Sequence, residues 1–105
     1  MFKVKDRHGL DYCLAPTHEE WITRCVADCL KSYKELPVVL YQVGSKFRDE
    51  LKAENGLLRS REFIMKDMYS FDASSDQAGI TYEAVLKCYQ RIFLRLGLTN
   101  VKVWL

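Results

Sequence analysis

Between Val38 and Tyr69 the chain carries two β-prone runs joined by a short polar loop, and their alternation constrains the fold more than any other feature. In the first run, Val38 to Glu50, the side chains of Tyr41, Val43 and Phe47 share one side, and Gln42, Lys46, Arg48 and Glu50 share the other. In the second, Leu57 to Tyr69, Ile64 and Met68 take one side, while Arg59, Arg61, Phe63, Met65 and Asp67 take the other. Each strand therefore has an apolar face and a polar face. The loop Lys52 to Gly56 returns one strand beside the other, which predicts a strand–loop–strand hairpin.

The flanking segments complete an α+β pattern. Phe2 to Asp6 and Leu10 to Leu14 read as a β-hairpin turned at Arg7-His8-Gly9, ended by Pro16 and Thr17. Trp21, Ile22, Cys25, Val26, Cys29, Leu30 and Tyr33 recur at steps of three and four, predicting an amphipathic helix from about His18 to Tyr33, with Pro37 stopping anything helical. After the Ser/Asp-rich stretch Phe71 to Asp76, Val85, Cys88, Tyr89, Ile92, Phe93 and Leu96 mark a second helix closed by Gly97. Val101 to Trp104 reads as a final strand. The order predicts an antiparallel β-sheet with flanking helices, with Trp21, Tyr89 and Phe93 in its core and Lys66 in solvent.

Composition narrows the function classes. A chain of 105 residues with 49% hydrophobic and 29% charged residues has the material for a globular core, and a chain this short exposes apolar patches wherever a neighbour is lacking. The net charge of +2 implies no nucleic-acid partner by itself, since that inference needs clustered basic residues. Cys13, Cys25, Cys29 and Cys88 read as reduced core thiols of an intracellular protein. Cys25 and Cys29 have helical spacing, but His8 and His18 provide no second ligand pair, so no metal site is expected. No run approaches the roughly 18 apolar residues of a membrane span.

The chemistry-bearing residues lie on the polar hairpin face. Arg48 and Glu50 opposite Arg59, Arg61 and Phe63 suit a nucleotide: guanidinium forks grip phosphate oxygens, a carboxylate accepts from an adenine amino group, and Phe offers a flat apolar face. Cross-strand salt bridging on a solvated face, at about 0.2–1 kcal/mol per pair, accounts for the same pattern. Likewise Thr17 and Glu20 fit a capping box ahead of the first helix. Capping does not require Glu19, which a binding role places in a pocket.

The wording of these segments resembles the bacterial-type class II prolyl-tRNA synthetases. Lys46-Phe47-Arg48-Asp49-Glu50 and the run GLLRSREFIMKDMYSFD from Gly56 resemble motif 2, and REFIMKDMYSFD is specific to the prolyl branch rather than to the threonyl or seryl enzymes that share FRxE. Asp11 to Glu20 resembles the CLGPTHEE segment with its T-x-E loop, and Ser32 to Pro37 resembles KSYKxLP. These matches cover nearly the whole chain. The resemblance implies a class II catalytic core that activates proline with ATP, as its magnesium complex, to prolyl-adenylate and transfers it to tRNA(Pro).

It also implies residue roles. Arg48 would hold the ATP α-phosphate and the proline carboxylate, and serve catalysis by compensating charge. Glu50 would read the adenine amino group, Phe63 would stack on the ring, and Leu58 and Arg59 would line the ATP site. Thr17 and Glu19 would receive the cationic imino group, and Asp67 would lie in the amino-acid pocket. The parent is expected to be a homodimer in the cytoplasm or the mitochondrial matrix, with no membrane association.

Two departures stand out. The motif 2 loop, commonly Arg-Pro-Arg-like, is Lys52-Ala53-Glu54-Asn55, leaving Lys52 as the tRNA acceptor contact and an acidic residue where a second basic one is usual. Ala15 replaces a usual glycine before Pro16. Residues 1–105 are expected to be a partial catalytic domain, without motif 1, motif 3, the editing insertion or the anticodon-binding domain, and inactive alone. The competing reading is a non-catalytic synthetase-like module that binds nucleotide or protein.

Overall fold

The computed structural model describes residues 1–54 and 56–102. They fall into two compact units, Met1–Lys31 with Val39–Tyr69, and Ser32–Val38 with the chain from Ser70 onward.

In the first unit, β1 (Lys3–Lys5) and β2 (Asp11–Cys13) pair antiparallel with Val4 opposite Tyr12. Asp6 makes the turn, its Oδ1 accepting the N–H groups of His8 at 2.8 Å and Leu10 at 2.9 Å. Gly9 sits at φ +81°, where a residue without Cβ is favoured. The paired residues Lys5 and Asp11 add a 2.8 Å ion pair.

The first helix, α1, spans Glu19–Cys29, so it stops short of the predicted Tyr33. Leu30 turns extended, and Ser32 instead accepts the N–H of Lys34 at 3.3 Å, capping a separate 3-10 turn at Tyr33–Glu35. A short hydroxyl side chain that bonds nearby backbone competes with helix continuation. The helix begins without a capping box: His18 is its N-cap and makes no side-chain cap bond. Glu19 and Glu20 in its first turn still complement the helix dipole.

The expected core of α1 is mostly open. Val26 is buried, whereas Trp21 is 69% exposed. All four cysteines are free and exposed rather than core thiols. Periodicity marks which residues share a face, but burial needs a surface to pack against, and this face has little.

The strands β3 (Val38–Phe47) and β4 (Glu62–Phe71) form a two-stranded sheet. The Arg48 N–H donates to the Arg61 carbonyl at 2.9 Å, and further along the Gln42 amide donates to Asp67 at 2.9 Å, so the strands run antiparallel. Strand β3 starts at Val38 as predicted but is shorter, and β4 is displaced along the chain. β3 ends at Phe47, where Glu50 N–H folds back to the Arg48 carbonyl at 2.9 Å, and β4 starts only at Glu62.

Burial on this hairpin reverses the usual sense. The apolar side is open, with Tyr41 73% and Ile64 76% exposed, while the polar side holds the only fully buried side chain among the described residues, Lys46.

In the second unit, α2 spans Ser75–Arg95, starting well before its first apolar marker, Val85. Ser74 caps it by accepting the Gln77 N–H at 3.3 Å, a start signal hidden in the Ser/Asp-rich stretch. Val85, Leu86, Tyr89 and Phe93 are half-buried, whereas Cys88, Ile92 and Leu96 are exposed. Tyr89 and Phe93 stack with centroids 6.4 Å apart. The helix closes as Leu98 N–H reaches the Phe93 carbonyl at 2.9 Å and Gly97 N–H the Leu94 carbonyl at 3.0 Å, with Gly97 at φ +79°. Of the predicted last strand, Val101 and Lys102 are not in a strand, and residues 103–105 lie outside the described ones.

Candidate functional site

The hairpin register decides which side chains meet. Because Arg48 pairs with Arg61, the even positions of β3 and the odd positions of β4 emerge on one face. Beyond the ends of the two strands, that face is continued by a tight loop. Glu54 and Arg59 form a two-way backbone bridge at 3.2 Å in each direction, and Gly56 takes φ +62° to turn the chain between them. Asn55 lies outside the described residues.

Arg48, Glu50, Leu57, Leu58, Arg59, Ser60 and Phe63 line a hollow of about 340 Å3. Five of these, Arg48, Glu50, Leu58, Arg59 and Phe63, are the residues singled out for a nucleotide. The Arg48 guanidinium carbon lies 5.4 Å from the Phe63 ring centroid, within cation–π range, and its Nε donates to the Pro16 carbonyl at 3.2 Å. Arg59 donates to Glu50 Oε2 through Nη2 at 2.9 Å and Nε at 3.2 Å. Glu50 is also held by its backbone, since Arg61 Nε donates to the Glu50 carbonyl at 3.1 Å.

Such a hollow offers two guanidinium groups, one carboxylate, one aromatic face and leucine side chains. It suits a planar heteroaromatic ring attached to anionic oxygens. Its cross-strand ion pair is also the structural role that the sequence left open, and the two are compatible: a pair with Arg59 64% exposed contributes only about 0.2–1 kcal/mol and opens at small cost.

Asp67 sits further along the same face as part of a second polar group. Its Oδ2 accepts from Gln42 Nε2 at 2.9 Å and from the Tyr69 hydroxyl, and its Oδ1 lies 4.0 Å from the Lys46 ammonium. Burial by itself pushes the Asp67 carboxyl up. The bonds from Tyr69 and Gln42, with the charges of Lys46 and His18, more than offset it, so its pKa lies below the ordinary 3.8.

Thr17, Glu19 and Lys52 are not among the residues lining the hollow. Thr17 and Glu19 are exposed, Glu19 in the first turn of α1. Glu19 therefore does not line the hollow around Phe63. Lys52 is exposed on the loop. Among the described residues, no group of three or more His, Cys, Asp or Glu side chains gathers to hold a metal ion, and no helix is long and apolar enough to cross a membrane.

Sequence reasoning missed the support around Asp67 and the part played by Arg61. The signal was available for the first: Gln42 and Lys46 share parity with Arg48, and Tyr69 shares parity with Asp67. The grip of Arg61 on a backbone carbonyl leaves no trace in residue type or spacing.

Comparison with known proteins covers nearly the whole chain. The family model for the class II tRNA synthetase core domain (G, H, P, S and T) matches residues 2–105. The chain is similar to a proline–tRNA ligase of Aquifex aeolicus, 57% identical over 101 residues, which covers 96% of this chain and 18% of that protein. It is similar to a probable mitochondrial proline–tRNA ligase of Rattus norvegicus, 57% identical over 103 residues, covering 97% of this chain and 22% of that protein. A human protein of the same description is 55% identical over 104 residues, covering 98% of this chain and 22% of its own length. The chain thus spans between 18% and 22% of the length of these curated relatives.

Proposed function

Since the chain belongs to the class II tRNA synthetase core-domain family, we propose that it is the T-x-E and motif 2 segment of a ligase that joins proline to tRNA(Pro). The observation that carries this reading is the convergence of Arg48, Glu50, Leu58, Arg59 and Phe63 around one hollow of about 340 Å3.

The reaction needs positioning and charge compensation more than proton transfer. The proline carboxylate is already a nucleophile; it attacks the α-phosphorus of ATP, forming a carboxyl–phosphate bond as pyrophosphate leaves. Arg48 neutralises charge shared between the attacking carboxylate and the α-phosphate, and its bidentate fork fixes their approach. Phe63 stacks on the adenine, Glu50 accepts from its amino group, and Leu58 and Arg59 flank it. Magnesium arrives with ATP as part of the substrate.

Thr17, Glu19 and Asp67 receive the cationic imino nitrogen. A terminal tRNA hydroxyl then attacks the prolyl carbonyl, releasing AMP, with Lys52 contacting the acceptor end. Residues 1–105 are read as one part of the catalytic core of a homodimeric enzyme of the cytoplasm, or of the mitochondrial matrix, and as inactive in isolation. The share of each relative that the chain covers supports its reading as one part of a larger protein.

The test is calorimetric titration of the full-length protein with a non-hydrolysable prolyl-adenylate analogue, together with proline-dependent ATP–pyrophosphate exchange. Arg48→Ala is expected to abolish analogue binding while Lys66→Ala retains it. Analogue binding without exchange would instead favour a non-catalytic nucleotide-binding module, and undiminished binding by Arg48→Ala would sink the assignment.

A further inference from the structure

Two of the residues that line the hollow, Arg48 and Glu50, lie just past Phe47, where β3 ends. The Arg48 N–H still bonds to the Arg61 carbonyl at 2.9 Å, but the Glu50 N–H folds back to the Arg48 carbonyl at 2.9 Å, so Glu50 has left the ladder. Its carboxylate accepts from Arg59, an exposed pair that opens at small cost. Its backbone is held differently, by Arg61, whose Nε donates to the Glu50 carbonyl at 3.1 Å. Arg61 therefore grips both ends of the turn Arg48-Asp49-Glu50, one with its own carbonyl and the other with its guanidinium.

Arg61 itself does not line the hollow. The guanidinium fork that the residue pattern offered to a nucleotide is turned instead on the protein's own backbone. Resting on the proposed part of Glu50 in reading the adenine amino group, we infer that Arg61 is a positioning residue, which fixes the spacing of Glu50 from Arg48 so that the carboxylate meets the amino group while Arg48 meets the α-phosphate. A grip on the carbonyl restrains Glu50 without occupying its carboxylate, and it persists when Arg59 lets go. Hydrogen bonds are directional and short, so a displaced carboxylate forfeits its contact even though the residue is still present. The planar guanidinium supplies a donor of fixed direction at Nε, where a lysine stem carries carbon.

The test compares ATP with purine riboside triphosphate, the same nucleotide without the 6-amino group, in proline-dependent pyrophosphate exchange by the full-length protein. Wild type is expected to favour ATP. In Arg61→Met that preference, taken as the ratio of the two kcat/KM values, is expected to fall about tenfold, the order of one hydrogen bond to a charged group. The loss falls on the KM for ATP, while the KM values for the amino-less nucleotide and for proline change little. An equal loss with both nucleotides would mean that Arg61 acts on the phosphates or on the fold at large, and overturns the inference; so does an undiminished preference. Should Arg61→Met fail to fold, Arg61→Lys decides, since it keeps the charge and removes the Nε donor: the preference falls, or the inference is overturned.

The functional reading and this inference fail in different ways. Wild type without a preference for ATP removes Glu50 as the adenine reader and the inference with it, whereas a preference shared equally by wild type and Arg61→Met removes the inference alone.

Discussion

The guanidinium of Arg48 stands 5.4 Å from the centroid of the Phe63 ring, so the proposed phosphate ligand and the proposed adenine platform touch each other. An aromatic ring stacked on the same face of Phe63 competes with that guanidinium, and binding would release Arg48 toward the phosphates. Phe63→Leu is expected to raise the KM for ATP about tenfold, the equivalent of one lost aromatic contact of roughly 1.5 kcal/mol. The KM for proline should change far less. Titrating ATP in the exchange assay checks this; a change confined to proline would refute the assignment of Phe63.

The pair Glu50–Arg59 distinguishes structural from functional roles. With Arg59 largely exposed, a double-mutant cycle on unfolding free energy with Glu50→Gln and Arg59→Ala should give a coupling of only about 0.2–1 kcal/mol. Either single substitution should nevertheless weaken ATP binding at least tenfold by calorimetry. A large stability coupling with unchanged ATP affinity would return the pair to the purely structural role.

Asp67 links stability to acid. Its folded pKa lies below 3.8, so its contribution is present in full above the unfolded value and is lost as pH falls through the folded one. Asp67→Asn should therefore lower the urea midpoint at neutral pH and flatten its decline as the pH falls below about 4. Parallel acid limbs for wild type and variant would show that Asp67 is not the group concerned.

The loop prediction concerns charge alone. Replacing the exposed Glu54 by Arg adds one phosphate-directed cation beside Lys52. Plots of log affinity for tRNA against log salt should steepen by about one for Glu54→Arg and become shallower by about one for Lys52→Ala. Filter binding over a salt series measures both, and identical slopes would remove this loop from the tRNA interface.

Gly97 closes α2 at φ +79°, and a Cβ there would meet no atom within 4 Å. Gly97→Ala should therefore cost about 1–2 kcal/mol through backbone strain alone. Thermal unfolding should show it as a lowered midpoint with unchanged helix content in far-ultraviolet circular dichroism. An unchanged midpoint would mean that the helix end does not contribute to the cooperative unit.

The sequence by itself determined the run of strands and helices from β1 to α2, the two faces of the hairpin and the set Arg48, Glu50, Leu58, Arg59 and Phe63, because a period of two fixes which side chains emerge together wherever the strand register is set. It also determined family membership, through motifs long enough to be specific. Only the tertiary structure decided where α1 stops, since Ser32 chooses between continuing a helix and capping the next turn. It likewise decided that Trp21 and the cysteines are exposed while Lys46 is buried. Periodicity reports direction from the backbone, whereas burial and charge depend on what stands opposite, and the partner of Lys46 is Asp67, which lies far away in sequence and adjacent in space.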